Sequence, residues 1–478
     1  MFMTKRIATL GVALVMGVTA AGQQFPERPP ADVTATMDRD QMMSQLGVSF
    51  ISMPPKLEDP NRPDAAWPSN DENPEGNWTD ADGNTITRGG MGLWVTYDND
   101  SQNLYTPIDL LEMNNGRKIT SEAEWWSMRR PEIKKQVEDL VWGRMPTESE
   151  LPHKVEWQVE ETRGEAEGVA YIEKKITGLI DTSIYPEVRD APVIDVTLRI
   201  PADATGPVPV IIQFGGGRSM GAVWRHVSPE GWGAATFNPN SIQPDNGRGL
   251  TSYLIGLMNK GEWREPTDMG SLVAWAWGIG RLIDYFETDD SVDATKVGVS
   301  GHSRYGKGAF IAMAYEPRLA VAYPSCGGAL GPSMVRRHYG QNLENLSWDR
   351  EYHWIAGNAF QWMGPLNEGE YKPRKVEVMP VDAHSVLALA APRPVFLNGG
   401  NRDTWSDTYG TYLTGVGATP VYELLGKKGV VVPGGGDPAI DVAYNEGDIG
   451  YRSHDGGHTP EPDWPAFVAF TKKYFDAD

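Results

Sequence analysis

Cysteine is nearly absent from this chain: Cys326 is the only one among 478 residues. That excludes an intramolecular disulfide and the cysteine-rich zinc modules. Histidine is also scarce, with 8 residues, and no HExxH pair occurs among them. The sequence therefore predicts chemistry that uses no metal and no other cofactor. Positive charge is the minority sign, with 43 Lys and Arg against 64 Asp and Glu. A formal net charge of −21 argues against nucleic acid or another polyanion as a bulk partner. Beyond the first twenty residues no apolar run reaches membrane length, so no membrane attachment is expected there. The start of the chain differs. Lys5 and Arg6 precede an apolar run from Ile7 to Ala20, and small residues follow. This pattern predicts a signal peptide over 1–21 and a secreted or periplasmic protein. Losing those two positive charges would take the net charge from −21 to −23.

What the chain has in quantity is glycine (53), proline (36) and tryptophan (17), with 40% hydrophobic residues. That composition suits a loop-rich enzyme with a sizeable core, and the length suits one large α/β domain with extensions. Residues 22–119 read as an irregular N-terminal extension, dense in Asp, Asn, Gly and Pro around WPSNDENPEGNWTDADGN. DADGN departs from calcium-loop spacing after Gly83, so a solvated turn is expected. Residues 120–478 read as the catalytic domain. A helical pattern over 120–143 puts Ile133, Val137, Leu140 and Val141 on one face, with Pro131 as a helix start. Strand-like runs follow at 193–201, 207–214, 233–239, 296–301, 393–399 and 448–453, with helical patterns between them. This alternation predicts a mostly parallel sheet sandwiched by helices. Two stretches, 331–380 and 426–447, read as insertions, the first over the carboxyl edge of the sheet, where such folds bind ligands.

The stretch GVSGHSRYGKGAF, 298–310, looks like a strand turning into a helix with Ser303 at the corner. In an α/β-hydrolase that corner reads G-x-S-x-G and exposes a nucleophilic serine. Here Gly301 fits, but the second glycine is delayed to Gly306, so a helix-capping serine is the competing reading. The fold orders its triad as serine, acid, histidine. Asp403 follows the 393–399 strand, and His454 and His458 follow the last one. His458 is favoured, because Gly456 and Gly457 give its loop the freedom to bend inward.

GHSRYGKGA resembles the G-[CH]-S-R-x-G-K-x-A signature of glucuronoyl esterases, carbohydrate esterase family 15. The bacterial branch is matched further by WWSMRRPEI, CGGA, MPVDAHSVLALAAPRPVF, DTWSDTYG and GGHTPEPDW. The resemblance runs from about residue 120 to the end. It implies an α/β-hydrolase fold and cleavage of the ester between 4-O-methyl-glucuronic acid on xylan and a lignin alcohol. It also implies Arg304 as an oxyanion donor, Lys307 as a ligand of sugar hydroxyls and Trp405 as a surface for the uronate. Lys307 is expected one helical turn after Ser303, on the same exposed face.

One departure stands out. Many members carry their triad acid as a glutamate after the GGA block, and here the matching position reads as Gln341, also a candidate substrate contact. The triad expected is then Ser303, His458 and Asp403, with Asp407 as a fallback acid; Glu344 is nearby in sequence but not at the matching position. The expected partner is a glucuronoxylan or lignin–carbohydrate ester, and a monomer is expected. Rival readings are another carbohydrate esterase, such as an acetyl xylan esterase, and a secreted carbohydrate-binding protein with a degenerate triad.

Overall fold

A computed structural model describes residues 25–48, the short strands at 78–79, 85–88 and 94–96, residues 106–337 and 339–363, the strands at 366–367 and 370–371, and residues 375–476. The signal-peptide expectation and the DADGN turn lie outside the described residues. The β-branched runs of the sequence become one nine-stranded sheet. Its strands are β1 (Val155–Ala166), β2 (Val169–Ile180), β3 (Val193–Pro201), β4 (Val208–Phe214), β5 (Gly233–Phe237), β6 (Val292–His302), β7 (Val321–Ser325), β8 (Val395–Gly400) and β9 (Ile449–His454). Their order is β9-β8-β7-β6-β4-β5-β3-β2-β1. The first six in that order run parallel, and the remaining joints are antiparallel.

Three of these strands were not apparent in the sequence. Strand β7 carries Pro324, which argues against a central strand, yet it pairs with β6 and β8. Strands β1 and β2 form a long ribbon whose outer strand is largely exposed, so no apolar alternation marks it.

The principal helices are α1 (Ala35–Leu46), α2 (Arg130–Val137), α3 (Met220–Val227), α4 (Ser271–Phe286), α5 (Arg304–Tyr315), α6 (Ala383–Ala390), α7 (Thr408–Leu424) and α8 (Trp464–Phe475). In α4 every residue except Asp284 is buried, so this helix is central to the core. Each large apolar side chain there contributes about 1.5–3 kcal/mol by leaving water. On α8, Trp464, Phe467, Phe470 and Phe475 are buried in a second cluster on the sheet. The helix expected to start at Pro131 starts earlier. Ser121 caps it, and Pro131 follows a π-helical stretch, Trp125–Arg129.

The N-terminal extension is not irregular throughout. Helix α1 is capped by Thr34, whose hydroxyl accepts from Met37 N at 3.1 Å, and is closed by Gly47 at φ 63°. Met42 and Met43 anchor it in the main core. The caps and the methionines together turn a polar stretch into a helix that the acidic composition around it disguised.

Candidate active site

Strand β6 ends at His302, and helix α5 begins at Arg304. Ser303 between them has φ 62° and ψ −129°, a strained conformation for a residue with a side chain. The turn holds because both glycines are squeezed. A Cβ on Gly301 would lie 2.0 Å from Tyr305 O, and one on Gly306 would lie 2.4 Å from Ser325 O. The delayed glycine is thus the point where α5 crosses the end of β7. The Ser303 N–H donates to Ser325 O there at 2.9 Å. Tyr305, where the ordinary motif has glycine, packs its ring 5.7 Å from that of Trp275.

Two more strand ends complete the corner. Asp403 follows β8 and is fully buried, and His458 lies in the loop after β9. His458 Nδ1 and Asp403 Oδ2 are 2.6 Å apart, and Ser406 N donates to Asp403 Oδ1 at 3.3 Å. Ser303 and His458 line one cavity of about 170 Å³ together with Arg304, Lys307, Gln341 and Trp405. His454 is used elsewhere: it is buried and pairs with Asp463 at 2.8 Å. Asp407 caps α7 and holds Arg337 in a buried ion pair at 2.9 Å. Glu344 is buried outside the cavity lining.

The two basic residues differ in exposure. Arg304 is half-exposed, and its Nη1 donates to Asp245 Oδ2 at 2.9 Å. The other Asp245 oxygen faces His353 Nε2 at 3.0 Å and accepts from Trp354 Nε1 at 2.7 Å. Burial pushes the Asp245 carboxyl up, but His353 and Arg304 more than offset this and hold it well below the usual carboxylate range. Lys307 is not on an exposed face but is 3% exposed. The face of α5 it shares with Ser303 is covered by the turn after β7. Its ammonium donates to Gly327 O at 2.6 Å, to Ala329 O and to Gln341 Oε1 at 2.8 Å.

Gln341 lines the cavity. Its amide bridges Lys307 to Glu351 Oε2, at 3.0 Å on the glutamate side. The residue beside His458 at the end of β7 is Cys326. Its sulfur and one ligand atom each of Asp403 and His458 lie within 4.8 Å of one another. Burial pushes the Cys326 thiol far up, so it is neither base nor nucleophile at neutral pH. In the dry floor of the cavity, burial lowers Lys307 to about 7 and raises Glu351 to about 7. Trp405 is half-buried on the cavity wall, and its carbonyl accepts from Gln341 N at 2.8 Å.

Comparison with known proteins gives the family. A family described as "Glucuronyl esterase, fungi" matches residues 188–426. "Carbohydrate esterase MZ0003", from an unknown prokaryotic organism, is 30% identical over 422 residues, covering 78% of this chain and 90% of that protein. The chain belongs to the glucuronoyl esterase family. A carbohydrate esterase family 15 glucuronoyl esterase from Teredinibacter turnerae T7901 superposes with a TM-score of 0.74 at 30% identity, over 92% of this chain and 99% of that one. A glucuronoyl esterase from Solibacter usitatus gives 0.67 at 32% identity, over 77% and 97%. Like other glucuronoyl esterases, then, this enzyme is a hydrolase built on the α/β-hydrolase fold.

Sequence reasoning missed Asp245, Glu351, His353 and Trp354. All four come from segments without periodicity, between β5 and α4 or in the insertion after β7. The dense Glu351-Tyr352-His353-Trp354 run was the one available signal, because polar and aromatic groups crowded into an insertion at the ligand-binding edge point to contact with a ligand.

Proposed function

We propose that the chain is a serine esterase of 4-O-methyl-glucuronoyl esters, the linkage between glucuronoxylan and lignin alcohols. Relatives bearing the name 4-O-methyl-glucuronoyl methylesterase support the acyl half of this reading. One is from Hypocrea jecorina and is 29% identical over 62% of this chain and 57% of that protein. The observation that carries the reading is the meeting of two sets of groups in one cavity: Ser303 and His458, the latter held from behind by the buried Asp403, and the Arg304, Lys307, Gln341 and Trp405 lining.

In this mechanism Ser303 Oγ attacks the uronate carbonyl as His458 takes its proton. Asp403, bonded to Nδ1, keeps the imidazole in the tautomer that leaves Nε2 free to act. Arg304 spends one amino group on Asp245 and keeps its other donors for the oxyanion. Such a donor contributes about 3–4 kcal/mol to the transition state. His458 then protonates the leaving alcohol, and a water activated by the same imidazole releases the free uronic acid. Gln341 and Trp405 recognise the sugar, and Lys307, whose three N–H groups go to Gly327 O, Ala329 O and Gln341 Oε1, fixes the Gln341 amide for that contact. The N-terminal segment 1–21 serves export, and the enzyme works as a secreted or periplasmic monomer on plant cell-wall esters.

Turnover of benzyl glucuronate by the wild type beside Ser303→Ala tests the reading. Wild-type turnover that Ser303→Ala abolishes supports it. Preference for 4-nitrophenyl acetate with no glucuronate turnover would overturn it in favour of an acetyl esterase.

A further inference from the structure

The extension before the catalytic domain packs on two segments whose neighbouring residues surround Arg304. Asp38, on α1, is 2% exposed, and its Oδ2 accepts a hydrogen bond from the Tyr352 hydroxyl at 3.0 Å. The same hydroxyl lies 3.2 Å from Gly247 O. Tyr352 sits between Glu351 and His353, and Gly247 sits two residues after Asp245. One hydroxyl therefore joins α1 to both segments that supply the groups around Arg304.

Packing repeats this arrangement. A Cβ on Gly247 would lie 2.4 Å from the Tyr352 hydroxyl and 2.8 Å from the Ala35 Cβ, so three segments meet there with no spare room. A Cβ on Gly357 would lie 2.1 Å from the Met42 sulfur, so α1 also seats on the far end of the 351–357 segment. Arg264 ties the two from behind. It donates to Ile355 O at 2.9 Å, its own carbonyl accepts from Gln45 at 3.0 Å, and its Nη2 lies 3.8 Å from Asp38 Oδ2. Burial pushes the Asp38 carboxyl up, and Arg264 and Tyr352 pull it part of the way back. A buried carboxyl under that cost is held only where its partners are fixed.

We infer that α1 is a clasp on the active site and that Asp38 is its positioning residue, acting through Tyr352. Asp38 touches no substrate. It fixes the 351–354 segment, and through His353 and Trp354 on Asp245 it sets the line of the Arg304 guanidinium. The kinetic part of this inference rests on the esterase reading above; the clasp itself does not.

Asp38→Ala and Tyr352→Phe test it, the second removing one hydroxyl with little change of volume. Both are expected to lower kcat for benzyl glucuronate by about tenfold or more, because small misplacements of a catalytic group are costly. The double variant should lose little more than either single one, since the two residues act through one bond. Asp38→Asn, which keeps an acceptor for the hydroxyl, should recover most of the loss. Phe475→Ala, destabilised in the distant cluster under α8, should lower the melting temperature without lowering kcat. Hydrogen exchange of peptides covering 349–362 gives a readout that needs no turnover: exchange there should quicken in Asp38→Ala and Tyr352→Phe but not in Phe475→Ala. Unchanged exchange and unchanged kcat in folded Tyr352→Phe would overturn the clasp. Faster exchange in these two variants, with no glucuronate turnover by the wild type, would spare the clasp and overturn the esterase reading alone.

Discussion

Ser303, Asp403 and His458 stand after the ends of three parallel strands, whereas Lys307, Gln341 and Glu351 form the floor of the same cavity from one helix and one irregular insertion. At the reacting corner one buried carboxylate meets one imidazole that solvent still reaches, with 24% of the His458 side chain exposed. In the floor an amine and a carboxyl are both buried, and an amide separates them. The proposed mechanism needs a histidine at the corner that can gain and lose a proton during turnover, which its partial exposure allows. The floor needs fixed donors and acceptors, so it excludes water and accepts the cost of buried charge. On the mechanism proposed above, hydration separates bond cleavage from recognition in this cavity.

The sharpest way to break this division is to change the carboxylates. Asp403→Asn should lower kcat by a factor on the order of 10³ or more, because the imidazole then loses its orienting acceptor. Asp407→Asn should leave kcat near wild type. It removes one half of the buried Arg337 pair and should instead cost about 3–5 kcal/mol of stability, read by denaturant unfolding. Catalytic loss in Asp407→Asn with full activity in Asp403→Asn would reverse the assignment.

Arg304 lies between the two regions and should show an intermediate effect. Arg304→Ala is expected to lower kcat about 10²-fold with a smaller change in KM, since the oxyanion exists only around the transition state. Arg304→Lys should not rescue it, because one ammonium cannot bond Asp245 and the oxyanion as a planar fork does. Asp245→Asn keeps the guanidinium but loosens its line, and should cost about tenfold. A normal kcat in Arg304→Ala would reduce the Asp245 pair to a structural contact.

The floor should respond to substrate rather than to chemistry. Lys307→Met is expected to lower kcat/KM for glucuronate esters by about tenfold or more, because the Gln341 amide loses the charged donor that fixes it. Simple acyl esters, which have no sugar hydroxyls, should be turned over almost as before. Equal losses on both substrates would place Lys307 in support of the serine turn.

The same division explains what could be read in the sequence. Strand ends are marked by β-branched runs and the glycines after them, so the chain order of Ser303, Asp403 and His458 is legible from the residues alone. The core helices are legible for the same reason: α4 and α8 carry apolar periodicity. The floor leaves no periodic trace. The spacing places Lys307 on the right helix turn, but whether that face meets water depends on the Gly327–Ala329 carbonyls, which are distant in sequence. Gln341 can be found by its position, yet its partner Glu351 cannot, because no local pattern states that an amide will bridge two charges. Strand β7 is hidden by Pro324, and α1 by the polar composition around it.

The smallest effect expected is thermodynamic, and it tests whether the floor is as dry as its geometry implies. Burial raises Glu351 to about 7, so in the window from its ordinary value up to about pH 7 the folded protein holds a proton that the unfolded chain has released. Stability therefore falls as pH rises through that window. Burial lowers Lys307 to about 7, so above that pH the unfolded chain holds a proton that the folded protein has lost, until the lysine reaches its ordinary value. Stability rises with pH through that second window. The two groups together place a trough in stability near pH 7. Replacing both, Lys307→Met with Glu351→Gln, removes the trough without leaving one buried charge unpaired. The melting temperature of the double variant should exceed that of the wild type most near pH 7, by a few degrees for each kcal/mol recovered. The gap should narrow toward pH 5 and toward pH 9. A gap that stays constant across that range would mean both groups keep their ordinary values, and a floor wet enough to allow that could not hold a sugar by buried donors.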